Sequence, residues 1–365
     1  MTLLINLLPW QAGYSGFDSY VQRLIPGLPG TRLQLSNFGT ATLVTSELWL
    51  PEAPQLPSGR LMHFLQRNGL VQHGLRIKTI LRNAGFIPDQ LQLIYSPFFD
   101  ALLSCTKVPQ LITCHDLTPL TYPNSRRAWL KYRFWQPRHL ALATQTIAIS
   151  RHVANQLINF GYPHDRIVVV PNGICISTSP VRSPQSEDLL VVARHDVNKN
   201  LRGLIQALAI AQARLPHWHG VMRIVGRGVA SAPDLNALRQ SLPKPDRLLL
   251  INGLKPAQLK EVIRNSLALI SASLEEGFDY PVIEAKSEGI PTLLSEIPVH
   301  NEFHLGSSLF FPVDNDGLIF TSQLSRLLSD NSLWTDLSEA GLDLAKSLSI
   351  EVQRNEICRL IDQFN

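Results

Sequence analysis

The chain contains no stretch approaching the roughly 20 consecutive apolar residues that cross a bilayer as a helix. Cysteine is scarce as well: Cys105, Cys114, Cys175 and Cys358 are the only four in 365 residues, and no two stand at a paired metal-binding spacing. These shortages argue against a helical membrane-spanning protein, a disulfide-stapled scaffold and a zinc ribbon. The start, Met1 to Leu8, lacks the basic flank and small-residue cleavage site of a signal peptide, so it reads as a first strand of a cytoplasmic protein with reduced thiols. Cys105 and Cys114 lie in apolar surroundings and are expected as small core residues. Acidic residues are missing from two long tracts, 53–88 and 117–164. Residues 1–165 hold 14 Lys/Arg against 7 Asp/Glu, a net of +7, while the rest carries −3. A basic first half attracts anions, whether a membrane surface, nucleic acid or a phosphate-bearing acceptor.

Short apolar, β-branched runs are plentiful, and helical patterns separate them. Strands are expected near 3–8, 32–35, 91–95, 110–114, 145–149 and 167–170, and again near 188–193, 220–225, 247–251, 267–271, 291–294 and 308–311. Such alternation predicts parallel sheets covered on both faces. The Ser/Pro/Arg-containing stretch from Ser177 to Ser186 reads as a linker. The expected division is a Rossmann-like domain over 1–176, a linker over 177–187, a second Rossmann-like domain over 188–345 and a terminal helix over 346–365. That helix has Ile350, Val352, Ile357, Leu360 and Ile361 for an apolar face.

The segment Glu276-Gly277-Phe278-Asp279-Tyr280-Pro281-Val282-Ile283-Glu284 carries two carboxylates eight positions apart, between an apolar strand pattern and a helix pattern. A loop that leaves a strand and opens a helix offers free N–H groups and the positive end of a helix dipole, which suits a phosphate. Carboxylates cannot hold phosphate but can accept from hydroxyls, so the loop suits a ligand joining phosphate to sugars. Arg194 and Lys199, five apart after another strand, can grip a pyrophosphate with a planar fork and a point charge. Ordinary surface cations on a solvated loop are the bland alternative. Gly226-Arg227-Gly228 after a third strand permits close backbone approach or a plain turn. Gly13 and Gly16 precede a helix pattern from Tyr20, another candidate anion site. His115-Asp116 ends the strand 110–114, and its imidazole can hold a sugar hydroxyl near neutral pH. Trp129, Tyr132, Phe134 and Trp135 alternate with Arg126, Arg127, Lys131, Arg133 and Arg138. That run fits a membrane interface, a stacking surface, or a helix with one buried aromatic face.

The Glu276 to Glu284 block resembles the Glu-x7-Glu motif of retaining family 4 glycosyltransferases with the GT-B fold. Their usual form is Glu-Gly-Phe-Gly-Leu-Pro-x-x-Glu-Ala; here Asp279 replaces the glycine and Tyr280 the leucine. His115-Asp116-Leu117-Thr118-Pro119 and Ser295 to Glu302 resemble mannosyltransferase-like members. The resemblance implies an α/β fold of two doubly wound domains facing across a cleft, with a C-terminal helix crossing back to the first. It implies a hexosyltransferase that retains configuration and needs no metal or other cofactor; no Asp-x-Asp run is present. Carried over, Glu276 holds the donor sugar, Glu284 the ribose, Arg194 and Lys199 the leaving diphosphate, and His115 lies against the sugar. Gly16, Gly226, Phe278, Asp279, Tyr280 and Val282 are implied donor-binding positions. Ser150 and Arg151 resemble a further strand end on the cleft. The implied donor is GDP-mannose, with a UDP-sugar second, and the acceptor a glycan or a lipid-linked glycan at the membrane's inner face, with no nucleic acid partner. A UDP-N-acetylglucosamine 2-epimerase shares the fold, and a basic binding protein with a degenerate cleft is the non-enzymatic alternative.

Overall fold

The computed structural model describes residues 3–7, 9–10, 16–35, 41–44, 91–103, 105–227, 234–313 and 317–364. The chain forms two compact units. The first comprises Met1–Leu117, Arg127–Gly173 and Ile350–Asn365, the second Thr118–Arg126 and Ile174–Ser349.

The first unit is built on a seven-stranded sheet of order β3-β2-β1-β4-β5-β6-β7. Its strands are β1 (Leu3–Asn6), β2 (Thr31–Leu35), β3 (Ala41–Val44), β4 (Leu93–Ser96), β5 (Gln110–Cys114), β6 (Gln145–Ala148) and β7 (Ile167–Val169). All pairings are parallel except β2 with β3, which is antiparallel. β1, β4 and β5 are buried along their whole length, as strands covered on both faces must be. The edge strand β3 is absent from the sequence-based expectation. Only five residues separate it from β2, a connection that allows a hairpin and not the crossover assumed for every other pair.

The second unit has a six-stranded, all-parallel sheet of order β10-β9-β8-β11-β12-β13. These strands are β8 (Leu189–Val192), β9 (Met222–Val225), β10 (Leu248–Ile251), β11 (Ala268–Ser271), β12 (Thr292–Ser295) and β13 (Leu309–Phe311). Leucine, isoleucine and valine from both faces form one core with Trp334, whose indole N–H donates to the Leu267 carbonyl at 2.9 Å. Strand order reverses between β1 and β4 in the first sheet and between β8 and β11 in the second. In doubly wound sheets the loops leaving two such strands diverge and leave a crevice at the sheet's carboxyl edge. The loops after β8 and β11 carry Arg194, Lys199 and Glu276.

Two segments differ in part from expectation. The terminal helix Ile350–Asp362 places Ile350, Ile357, Leu360 and Ile361 in the first unit's core, and its Gln353 accepts from the Gly173 N–H at 2.8 Å. Val352, grouped with those residues from the sequence, is instead exposed. Two positions beyond Ile350 is about 200° around a helix, which puts it on the opposite face. The stretch read as a linker lies along the second unit. Val181 is buried, its N–H donates to the Glu288 carbonyl at 2.8 Å, and Ser177 donates to the Glu288 carboxylate at 2.9 Å. Gly289, at φ +81°, sits where a Cβ would come within 2.3 Å of the Val181 carbonyl, so only glycine fits beneath this strap. Cys105 and Cys114 are buried, in line with the core reading.

Candidate active site

Beyond β8, Ala193 and Arg194 lead into a short 3-10 turn, Val197–Lys199, and then a helix, Leu201–Arg214. Beyond β11, residues 272–279 lead into the helix Tyr280–Ser287, with Pro281 in its first turn where a missing N–H costs nothing. Asn200 (φ 49°) and Asp279 (φ 66°), the residues before these helices, are the two non-glycine residues with positive φ among those described. Gly226 ends β9 against the exit of β8; a Cβ there would lie 1.7 Å from the Ala193 carbonyl oxygen. Its use is thus a close approach of backbone to backbone, reinforced by the His195 N–H donating to the Arg227 carbonyl at 3.0 Å.

The two loops meet through side chains. The Lys199 ammonium pairs with Glu276 Oε1 and lies 3.9 Å from Asp279 Oδ1. Ser273 Oγ donates to Glu276 Oε1 at 2.7 Å, and Ser271 Oγ donates to Asp279 Oδ2 at 2.6 Å. His300 Nε2 stands 3.2 Å from the same Asp279 oxygen, and its Nδ1 is 2.9 Å from the Ser295 carbonyl. Ser295 Oγ donates to the Ser273 carbonyl at 2.6 Å. The asparagine of the first loop, Asn198, donates to the Glu275 carbonyl at 3.0 Å, which ties the loop backbones together.

Burial alone would discharge these groups, and their mutual attraction opposes that. Burial pushes the Lys199 ammonium down, but the Glu276 and Asp279 carboxylates carry it up to about 12. Burial also raises the Asp279 carboxyl, and the Lys199 charge, with His300 and Ser271, overcomes this and holds it well below the ordinary range. Glu276 is raised, by burial first and with Asp279 adding, against the pull of Lys199. The site therefore keeps a fixed cation at neutral pH between two carboxylates, one held low and one pushed upward by burial.

Arg194 stands on the same loop with its side chain largely exposed and paired to Asp196 at 2.6 Å. Glu284 lies on the helix Tyr280–Ser287 and is partly buried. Phe278 is buried with its ring 5.3 Å from those of both Tyr280 and Phe303, so its side chain holds the loop down and leaves only backbone for a ligand. Val282 is buried and its N–H donates to the Asp279 carbonyl at 3.1 Å within the first helical turn. Sequence reasoning used Asp279 for its backbone alone and passed over Ser271, Ser273 and His300; two serines at a strand's carboxyl end were the available signal.

In the first unit, α1 (Gly16–Leu24) begins at Gly16, while Gly13 falls outside the described residues, as does Gly228 in the second unit. The His115 ring sits edge-on to Phe17 and Tyr20 of α1, at 4.9 and 4.6 Å. Its Nε2 donates to the Pro97 carbonyl at 2.8 Å, and burial lowers its pKa to about 4. The ring is therefore neutral at pH 7, with Nδ1 left as an acceptor. Ser150 caps the helix Arg151–Asn159, accepting from the Val153 N–H at 3.1 Å. The aromatic-basic run forms consecutive helical turns, Arg126–Leu130, Lys131–Trp135 and Gln136–Leu142. Trp129, Leu130 and Phe134 are exposed there, Phe134 by 56%.

One further charge lies on the same helix as Glu284. Lys286 is buried and donates to the carbonyl and hydroxyl of Ser307, the latter at 2.9 Å. Desolvation lowers its pKa from 10.5 to about 7. Between those values the unfolded chain binds the proton that the folded chain has lost, so stability rises with pH across this window. Lys286→Met should therefore raise the melting temperature most near pH 7, with the gain shrinking toward about pH 10. Thermal melts of both proteins across that range check it, and a gain independent of pH would refute it.

Residues 36–178 match the family description Glycosyltransferase Family 4, and residues 177–341 match Glycosyl transferases group 1. The chain belongs to the family 4, group 1 glycosyltransferases. The O-antigen chain mannosyltransferase RfbU of Salmonella typhimurium is 23% identical to this glycosyltransferase over 211 residues, 57% of this chain and 58% of the relative. The chain thus spans little more than half of that protein. The O-antigen chain mannosyltransferase B of Escherichia coli is 25% identical over 317 residues, 80% of each chain. Sucrose-phosphate synthase from Thermosynechococcus elongatus matches over 100% of this chain and 99% of its own, with a TM-score of 0.74 at 17% identity. That likeness shows a shared GT-B fold. No helix among the described residues is long and apolar enough to cross a membrane.

Proposed function

We propose that this glycosyltransferase moves mannose from GDP-mannose to a glycan or lipid-linked acceptor with retention of configuration and without a metal. The observation that carries the reading is the Lys199 ammonium, held charged between Glu276 and Asp279 on the loops that flank the strand reversal. Arg194 on the same loop supplies a second cation for the leaving diphosphate. The similarity to two named mannosyltransferases supports mannose as the sugar.

In this reading the bond from the sugar's C1 to the diphosphate oxygen breaks as the acceptor oxygen approaches the same face. The departing phosphate oxygen takes the acceptor's proton, and a nucleoside diphosphate leaves. Lys199 and Arg194 meet the charge that grows on the diphosphate, the role a metal ion plays elsewhere. Glu276 binds sugar hydroxyls and favours the positive charge developing on the ring, and Glu284 binds the ribose. His115, neutral at pH 7, accepts from a hydroxyl through Nδ1. A thermal-shift screen across GDP-, UDP- and ADP-sugars tests the donor. GDP-mannose should raise the melting temperature most; a larger shift with a UDP-sugar would transfer the assignment to that donor, and activity on free UDP-N-acetylglucosamine would favour the epimerase.

The acceptor side is read from the exposed Trp129, Leu130 and Phe134 beside Arg126, Arg127 and Arg133, in a tract without acids. Apolar tips among cations match an anionic bilayer at the cytoplasmic face, at about 1 kcal/mol per basic side chain. Cosedimentation with anionic vesicles should occur at low salt, weaken as salt rises, and drop when Arg126, Arg127 and Arg133 become serine. Protein that stays in the supernatant at low salt would point to a soluble glycan acceptor.

A further inference from the structure

Asp279 stands where the family's usual motif has glycine, and its backbone takes the left-handed conformation that glycine adopts without cost. A β-carbon there is strained. The side chain that comes with it is 3% exposed and fully engaged: Oδ2 accepts from Ser271 and faces His300, and Oδ1 faces Lys199. His300 in turn is held from both sides, Nε2 by Asp279 Oδ2 at 3.2 Å and Nδ1 by the Ser295 carbonyl at 2.9 Å. Lys199, Glu276, Ser273, Ser295, His300 and Asp279 close into a ring of polar contacts. Within it the Lys199 ammonium stands between two carboxylates whose other contacts come from Ser271, Ser273 and His300.

We propose that Asp279 is the positioning residue for Lys199, a second anion, anchored by Ser271 and His300, that fixes the lysine ammonium in addition to Glu276. Lys199 then keeps a carboxylate partner when Glu276 turns to serve the sugar. The assignment of Lys199 to diphosphate and Glu276 to sugar rests on the functional reading above; the Asp279–Lys199 pairing does not.

Competitive acylation of lysines, read by mass spectrometry on the full chain without substrate, tests the pairing directly. The rate at Lys199 is taken relative to the exposed Lys346. Asp279→Asn keeps the size of the side chain, and Asp279→Gly restores the residue best suited to the backbone, so a folding defect would not affect both alike. Each should increase relative acylation of Lys199 by about tenfold, the change in free amine expected from a one-unit fall. An unchanged ratio in both variants would overturn the proposal. With GDP-mannose as donor, both variants should lower kcat more than they change KM, whereas a loop-forming role predicts that Asp279→Gly is as active as wild type. Added GDP should protect wild-type Lys199; if it does not, the diphosphate reading fails while the variant ratios still decide the role of Asp279.

Discussion

Replacing Lys199 by alanine is expected to lower kcat by about 10²–10³-fold, the usual effect of removing one preorganised partner from a developing charge. Diphosphate gains negative charge as its bond to the sugar breaks, so the loss falls on the transition state more than on donor binding. The structure adds a second consequence. Lys199 lies between the buried Asp279 carboxylate and the half-buried Glu276 carboxylate, and its removal leaves them facing each other with no shared cation. Breaking a buried pair from one side costs roughly 3–5 kcal/mol. The melting temperature should fall as well, and should recover in part at acidic pH, where Glu276, already pushed upward by burial, takes up a proton. Steady-state kinetics and melts between about pH 5 and 8 measure both. Turnover close to wild type would remove Lys199 from the leaving-group role.

Glu276→Gln should lower kcat strongly and leave donor KM less affected, whereas Glu284→Gln should raise KM and leave kcat nearer wild type. The difference follows from when each contact matters. In the proposed roles ribose hydroxyls are bound equally before and during reaction, so Glu284 would contribute uniform binding. The sugar ring becomes cationic only in the transition state, and a carboxylate at Glu276 gains strength at that moment. The surroundings differ: Glu276 is engaged by Lys199 and Ser273 on the loop after β11, while Glu284 lies farther on, on the helix Tyr280–Ser287. In Glu276→Gln the new amide oxygen can still accept from Ser273 and Lys199, so the variant tests charge and not shape. The reverse kinetic pattern would exchange the two roles.

Much of this arrangement was legible in the sequence because it depends on local chemistry. Runs such as Leu189-Leu190-Val191-Val192 and Ala268-Leu269-Ile270 mark buried parallel strands, and the motif residues follow them directly. What escaped depends on neighbours distant in the chain. His300 reaches Asp279 only because β12 lies alongside β11, which carries the two loops side by side. Asp279 was read as a departure from a glycine pattern, and nothing local reveals that its side chain turns toward Lys199. Val352 was misplaced because an apolar residue near a helix start was counted without its angle. The strap at Val181 looked like a linker because its composition is polar, although one buried valine and one backbone hydrogen bond are enough to dock it.

The helix Ile350–Asp362 also bears on how the protein is made. Its four core residues belong to the first unit, yet they are translated after the whole of the second. On the ribosome the second unit can complete its core first, and the first unit must wait, with the apolar surface near Leu24 and Ile25 uncovered, until the helix Ile350–Asp362 emerges. The order of assembly therefore runs opposite to the order of synthesis. A stalled or clipped product ending before Ile350 would strand the first unit's core unfinished and leave the second unit's core intact.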